Sequence, residues 1–259
     1  MATTSVFAQK NANDWFNSAY EKYNMGDYSG AIADYTECIA LAPDDASAFF
    51  NRGLANYYYG NLDKAVADFD KVTKLNTGDY EAFYYKGLAL VDLGRLEEAI
   101  QSYTSAIYFN TDYTSAYMER GFTRYSLSRF TEALEDFNTV IRLDPDEIDA
   151  YYNRGLCYQK LGDPEKAVAD FKKCTEMNIM DENAWFNMGF NYVDLKNYDE
   201  AIIAYTKVLE LNPNAADAYY NRGVAYYYLY QDDNACTDWK KAIELGDTSA
   251  QADYDNICK

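Results

Sequence analysis

The sequence contains no histidine, so the commonest general base and the commonest metal ligand are both missing. Catalysis would have to run on carboxylates, tyrosines, lysines or cysteines. Cysteine is sparse and odd in number: Cys38, Cys157, Cys174, Cys236 and Cys258, with no CxxC pair. That pattern excludes a zinc site and a small disulfide scaffold. A reduced cysteine packs as a small hydrophobe, so buried free thiols are expected. No apolar run approaches the ~20 residues a membrane span requires. Basic residues are few, 23 Lys and Arg against 42 Asp and Glu, for a formal net charge of −19. Such a chain repels phosphate backbones, which argues against nucleic acid and anionic membranes as partners. The excess acid reads first as a solvated outer face and second as a preference for basic or neutral ligands.

Aromatic residues are abundant, with 28 Tyr and 13 Phe, and 49% of the chain is apolar, enough for a continuous core. Their placement is periodic. Ala31, Ala65, Ala99, Ala133, Ala167, Ala201 and Ala235 stand 34 residues apart. Twelve residues before each lies a small residue: Ala19, Gly53, Gly87, Gly121, Gly155, Gly189 and Gly223. Four residues after each lies a ring: Tyr35, Phe69, Tyr103, Phe137, Phe171, Tyr205 and Trp239. A fixed period of this length marks a repeat architecture.

Each unit reads as two amphipathic helices. Phe49, Gly53 and Tyr57 share one face of a first helix, and Ala65, Phe69 and Val72 one face of a second. Between them Gly60 supplies a left-handed stop and Asn61 a cap for the next helix. Gly26, Gly94 and Gly162 repeat the stop, and Asp163-Pro164 places a cap before a proline at the first helical position. Pro43, Pro145 and Pro213 close second helices. A glycine inside a helix costs about 0.5–1 kcal/mol relative to alanine, so its recurrence implies a close backbone approach, expected here against the alanine of the second helix. No hairpin can bury its face alone, so neighbours must stack. The register also brings Cys236 and Cys258 into neighbouring helices and leaves their pairing open.

These residues resemble the tetratricopeptide repeat (TPR) family, with Gly or Ala at repeat position 8, Ala at 20, an aromatic at 24 and often Pro at 32. The resemblance covers residues 12–249 as seven units, 12–45, 46–79, 80–113, 114–147, 148–181, 182–215 and 216–249, with 250–259 as a C-terminal capping helix. It implies an all-α fold, a right-handed α-solenoid of helix–turn–helix repeats with first helices lining a concave groove. Residues 1–11 read as an N-terminal tail. Ser5-Val6-Phe7-Ala8-Gln9 looks like the end of a signal peptide, but a basic n-region and an apolar h-region are missing. The expected location is cytoplasmic, or exported and periplasmic if residues 1–8 are a truncated leader.

Position 7 departs from the family's aliphatic preference: it is Arg52, Arg120, Arg154 and Arg222 in four units. The same units carry Asp68, Asp136, Asp170 and Asp238 at position 23. The third and sixth have Lys86 with Ser102 and Met188 with Ala204, and the first has Ser18 with Asp34. Co-occurrence within units predicts a structural Arg–Asp pair joining the two helices of one repeat, of the partly buried kind that specifies geometry.

By the resemblance, the groove is the expected site. Position 6 supplies Asn17, Asn51, Asn153, Asn187 and Asn221, interrupted by Tyr85 and Glu119. An amide offers donor and acceptor together, so a ladder of them suits the backbone of an extended ligand. Tyr57, Tyr84, Tyr152, Tyr220 and Tyr227 add aromatic walls of low-entropy contact residues. The charges expected in the groove are acidic, Glu81, Asp92, Glu119, Asp149, Asp194 and Asp217 against Lys160 alone, and the basic clamp by which some family members grip an acidic tail is absent. The expected function is a non-catalytic scaffold for protein–protein interaction that binds an extended, neutral or basic peptide, with no cofactor or metal. A subunit that self-associates through its repeat ends is the alternative.

Overall fold

The computed structural model describes residues 10–259, and among these it forms fifteen helices and no strand. The chain divides into two compact units, one extending to Leu127 and one running from Ser128 to Lys259. The first holds α1 (Ala12–Asn24), α2 (Tyr28–Leu41), α3 (Ala46–Tyr59), α4 (Leu62–Leu75), α5 (Tyr80–Asp92), α6 (Leu96–Phe109) and α7 (Thr114–Ser126). The second holds α8 (Phe130–Leu143), α9 (Ile148–Leu161), α10 (Pro164–Met177), α11 (Glu182–Asp194) and α12 (Tyr198–Leu211). It continues with α13 (Ala216–Tyr228), α14 (Asp232–Glu244) and α15 (Ala250–Ile257). Within each unit consecutive helices pack on one another, and first helices also meet: α1 touches α3, α3 touches α5, α5 touches α7, and α11 touches α13. No described helix is long and apolar enough to cross a membrane. The leader reading, residues 1–8, lies outside the described residues; Asn11, which ends the N-terminal tail, caps α1 by accepting from the Asp14 N–H.

The turns follow from local chemistry. Gly60 takes the left-handed conformation (φ 88°) at the end of α3, and Asp45, Asp79, Asp163 and Asp181 cap helices by accepting backbone N–H bonds. Asn61 does not cap α4 through its side chain. Its amide instead donates to Asn56 Oδ1 at 3.2 Å, tying the turn to the preceding helix. The left-handed stop recurs in every repeat: Ser128, Lys196 and Tyr230 adopt φ near 60° at the register position that Gly26, Gly60, Gly94 and Gly162 occupy elsewhere. A left-handed residue with a Cβ is strained by roughly 1–2 kcal/mol, so packing of the flanking helices holds these three in place.

The alanines at position 20 are fully buried, and so are the rings four residues on, apart from a 2% exposed Trp239. The mid-helix glycines face those rings rather than the alanines. A Cβ on Gly53 would stand 2.8 Å from Phe69 Cε1, and one on Gly223 would stand 2.6 Å from Trp239 Cδ1. The side chain that exploits the missing Cβ is therefore the aromatic one. Gly53→Leu should displace Phe69 and destabilise the first unit by about 3 kcal/mol, the upper end of ordinary overpacking. A lowered urea midpoint with unchanged helicity before the transition would be the readout; an unchanged midpoint would show that the ring has room to swing away.

The Arg–Asp pairs form and reach further than one repeat. Arg52 donates to Asp68 from Nε (3.0 Å) and Nη2 (2.7 Å), and its Nη1 donates to Thr36 of the preceding repeat at 3.2 Å. Arg154 holds Asp170 the same way (2.8 and 2.6 Å) and Asn138 at 2.7 Å. Arg222 holds Asp238 (2.7 and 2.9 Å) and Thr206 at 3.0 Å. Arg120 donates to Thr104 at 2.9 Å. One guanidinium thus joins three helices, which its five fixed donors permit and a lysine ammonium would match less well. Where the repeat has Lys86, the ammonium reaches only the preceding repeat, at Asp70 (2.6 Å). In the first repeat Asp34 accepts from Ser18 (2.6 Å) and pairs with Lys22 (2.6 Å).

Cys236 on α14 and Cys258 after α15 form a disulfide, with Cα atoms 5.7 Å apart. This resolves the pairing that the register left open. Cys38, Cys157 and Cys174 are buried free thiols, and burial pushes Cys157 and Cys174 up to about 12, which makes them poor nucleophiles.

Candidate functional site

In the first unit Asn17 (α1), Asn51 (α3), Tyr85 (α5) and Glu119 (α7) occupy one register position on successive first helices; Asn17 is exposed and the others are half-buried. In the second, Asn153 (α9), Asn187 (α11) and Asn221 (α13) do the same and are half-buried. Their amides are not free-standing. In four of the five, Nδ2 donates to the carbonyl four residues back in its own helix: Asn51 to Ser47 (2.8 Å), Asn153 to Asp149 (2.6 Å), Asn187 to Asn183 (2.9 Å) and Asn221 to Asp217 (2.7 Å). That bond fixes the amide orientation, because only the NH2 end can donate to a carbonyl. It leaves Oδ1 and, except in Asn187, the second N–H unengaged among the described residues. Asn187 uses its Nδ2 once more, donating to the Tyr152 hydroxyl at 3.0 Å.

Shallow clefts lie along these helices, and one of them is lined by a position-6 amide. One of about 200 Å³ is lined by Phe50, Asn51, Asp79 and Glu81, and another of about 380 Å³ by Asn183, Phe186, Asn212 and Asp217. They sit at corresponding register positions, so the repeat generates the same cleft in each unit.

The aromatic residues divide between packing and exposure. Tyr84 lies edge-on to Tyr85 (5.3 Å) and Tyr113 (5.1 Å), and Tyr85 stacks on Phe69 (6.0 Å). Burial first, then Glu119, pushes the Tyr84 hydroxyl up to about 12. Tyr57 reaches a similar value through burial and then the Asp92 carboxylate. Glu119 is itself raised, by burial and then by Asp92. Tyr152 packs edge-on to Phe171 at 5.5 Å. Tyr220 is partly occupied, because its hydroxyl donates to Asp253 of α15 at 3.2 Å. Tyr227, 39% exposed, leans on Trp239 at 5.9 Å.

Sequence reasoning missed a pocket on a different face of the second unit. In the sixth repeat, where Met188 and Ala204 replace the Arg–Asp pair, a cavity of about 430 Å³ opens between Trp185, Met188, Tyr192, Ile203 and Lys172. The register-equivalent site in the second repeat is a polar cleft of about 300 Å³ containing Arg52 and Asp68. The two departures at positions 7 and 23 were the available signal.

Profiles described as TPR repeat match residues 19–58, 123–162 and 191–229, and profiles described as tetratricopeptide repeat match 57–113, 148–178 and 217–245. The chain belongs to the tetratricopeptide repeat family. Among solved structures this TPR protein is similar to YrrB, described as a TPR protein with an unusual peptide-binding site. The two share 26% identity with a TM-score of 0.67, covering 73% of this chain and 98% of YrrB. A MamA protein matches at 28% identity and TM-score 0.62, over 64% of this chain and 91% of its own. The C-terminal part of a TPR repeat-containing protein from Cytophaga hutchinsonii shares the fold at TM-score 0.77 and 21% identity, over 92% of this chain and 98% of its own. No curated protein sequence matches. A TPR fold is typical of protein–protein interaction.

Proposed function

We propose that this TPR protein is a non-catalytic scaffold that binds an extended, neutral or basic peptide segment along the first-helix faces of its units. The observation that carries this reading is the set of asparagine amides at position 6. Asn51, Asn153, Asn187 and Asn221 are each held in a fixed orientation by a bond to their own helix, which leaves Oδ1 available to accept. An extended backbone offers N–H groups at regular intervals, and oriented amides satisfy them whatever side chains the segment carries. The peptide-binding character of YrrB supports the same reading. The excess of Asp and Glu beside the clefts favours a segment that is not acidic.

A peptide selected from a random display library on the full chain provides the ligand for the test. Replacing Asn51, Asn153 and Asn221 together with alanine should weaken that peptide about 100-fold, three hydrogen bonds at roughly 1 kcal/mol each. The thermal transition should hardly move, because alanine is the better helix former and the lost bonds are at half-exposed positions. Retained affinity in the triple variant would remove the ladder from the site. Self-association through repeat ends is disfavoured at one end, where α15 is bonded to α14 and packs its Tyr254 on the buried Trp239 cluster. Light scattering across a concentration series distinguishes the two: growth in mass would favour assembly.

A further inference from the structure

A half-buried carboxylate, an exposed carboxylate and a buried hydroxyl gather at the α3–α5–α7 face of the first unit. Glu119 on α7 takes the register position that Asn51 holds on α3. It is half-buried, and among the described residues no basic side chain pairs with it; its charged neighbour is a second carboxylate, Asp92 at the end of α5. Tyr103 is the third group. It comes from α6 and has no exposed surface, and its hydroxyl has no hydrogen-bond partner. Its Cε1 and Cζ occupy the space a Cβ on Gly87 would fill, so the ring runs beneath α5. The hydroxyl stays buried, with Glu119, Tyr84, Tyr57 and Asp92 as its electrostatic neighbours in that order. The Tyr84 ring stands 6.0 Å from the Tyr103 ring, and Asp92 lies beside the Tyr57 hydroxyl.

A half-buried carboxylate beside another carboxylate and an idle buried hydroxyl is unfavourable unless a donor enters between them. A cation satisfies all three, and tyrosine faces attract it through their quadrupoles. The second unit supplies an internal contrast. Tyr205 repeats the buried, partnerless hydroxyl, with Asp194 beside it. There, however, position 6 of the following repeat is Asn221, so the second acid is missing.

We propose that Glu119, Asp92 and Tyr103 form a pocket for one cationic side chain, lysine or arginine, of the bound segment, with Tyr57 and Tyr84 as its walls. The proposal rests on the peptide-binding reading and adds a fixed specificity position to it. The test is a selection of 12-residue random peptides on the full chain, run in parallel on the natural protein and on Glu119→Gln. Selected peptides should carry Lys or Arg at one fixed position on the natural protein and lose that enrichment on the variant. Replacing the cation by norleucine, or arginine by citrulline, should weaken binding about tenfold on the natural protein and leave the variant unaffected. The peptide-side change leaves the protein untouched, and Asp92→Asn gives a second, exposed position at which the enrichment should weaken. Peptides that bind through the asparagines but show no fixed cation, or tolerate norleucine, overturn the pocket and leave the scaffold reading intact. A selection that yields no binding peptide defeats both.

Discussion

Arg154→Ala should lower the unfolding free energy of the second unit by about 3 kcal/mol, whereas Arg154→Met combined with Asp170→Ala should leave it within about 1 kcal/mol of the natural chain. Asp170 is 4% exposed and gains two charge-assisted bonds from Arg154. Burial nevertheless outweighs the guanidinium and holds the Asp170 carboxyl above its ordinary value. The pair therefore sits near break-even as a unit, and removing only the arginine strands a buried charge. The sixth repeat shows the alternative solution, because Met188 and Ala204 stand at the same two positions. The two variants separate by urea midpoint at neutral pH. A carboxyl raised in the folded state lowers stability above its unfolded value, near 3.9, and that loss fades as pH falls and both states bind the proton. The Arg154→Ala deficit should accordingly narrow at acidic pH. A double variant as damaged as the single one would show that the bond to Asn138, and not relief of the buried charge, is what the arginine contributes.

Reducing the Cys236–Cys258 disulfide, or replacing Cys258 by serine, should cost about 3 kcal/mol locally and release α15. The bond joins residues 22 apart in sequence, and α15 has only eight residues, too few for a helix to persist alone. What remains to hold it is Tyr254 against the Trp239 cluster and the Tyr220–Asp253 bond. Hydrogen exchange in residues 250–257 should accelerate on reduction while α1–α7 keep their protection. Unchanged protection of α15 in the reduced chain would mean that packing alone seats the cap.

The helices and their order were legible because the 34-residue period repeats small, alanine and aromatic residues without an insertion. The left-handed turns were legible only where glycine marked them. Ser128, Lys196 and Tyr230 carry no such signal, and tertiary packing imposes the conformation that their side chains oppose. Asn61 illustrates the converse: a good capping residue finds a better partner in Asn56, a choice between neighbours that sequence does not rank. The face of the candidate asparagines followed from register, but their bonds back to the same helix are a rotamer outcome and could not be read in advance. The engagement of Tyr220 by Asp253 depends on where α15 docks. Tyr103 was visible as a tyrosine where four other repeats have phenylalanine or tryptophan, yet only the structure shows its hydroxyl stranded beneath Gly87.

The position-7 side chain bonds back to the preceding repeat at every junction but one. Between the fifth and sixth repeats Met188 faces Lys172, and the contact there is made by Phe171, Val168 and Trp185. Four of the position-7 bonds run from an arginine to the neutral oxygen of Thr36, Thr104, Asn138 or Thr206, and Lys86–Asp70 is the ion pair among them; salt screens an ion pair, and cooling weakens apolar contact. The same chain therefore has joints with opposite weaknesses. Brine should act chiefly on the Lys86–Asp70 joint, while chilling should loosen first the fifth–sixth joint, whose position-7 side chain makes apolar contact alone.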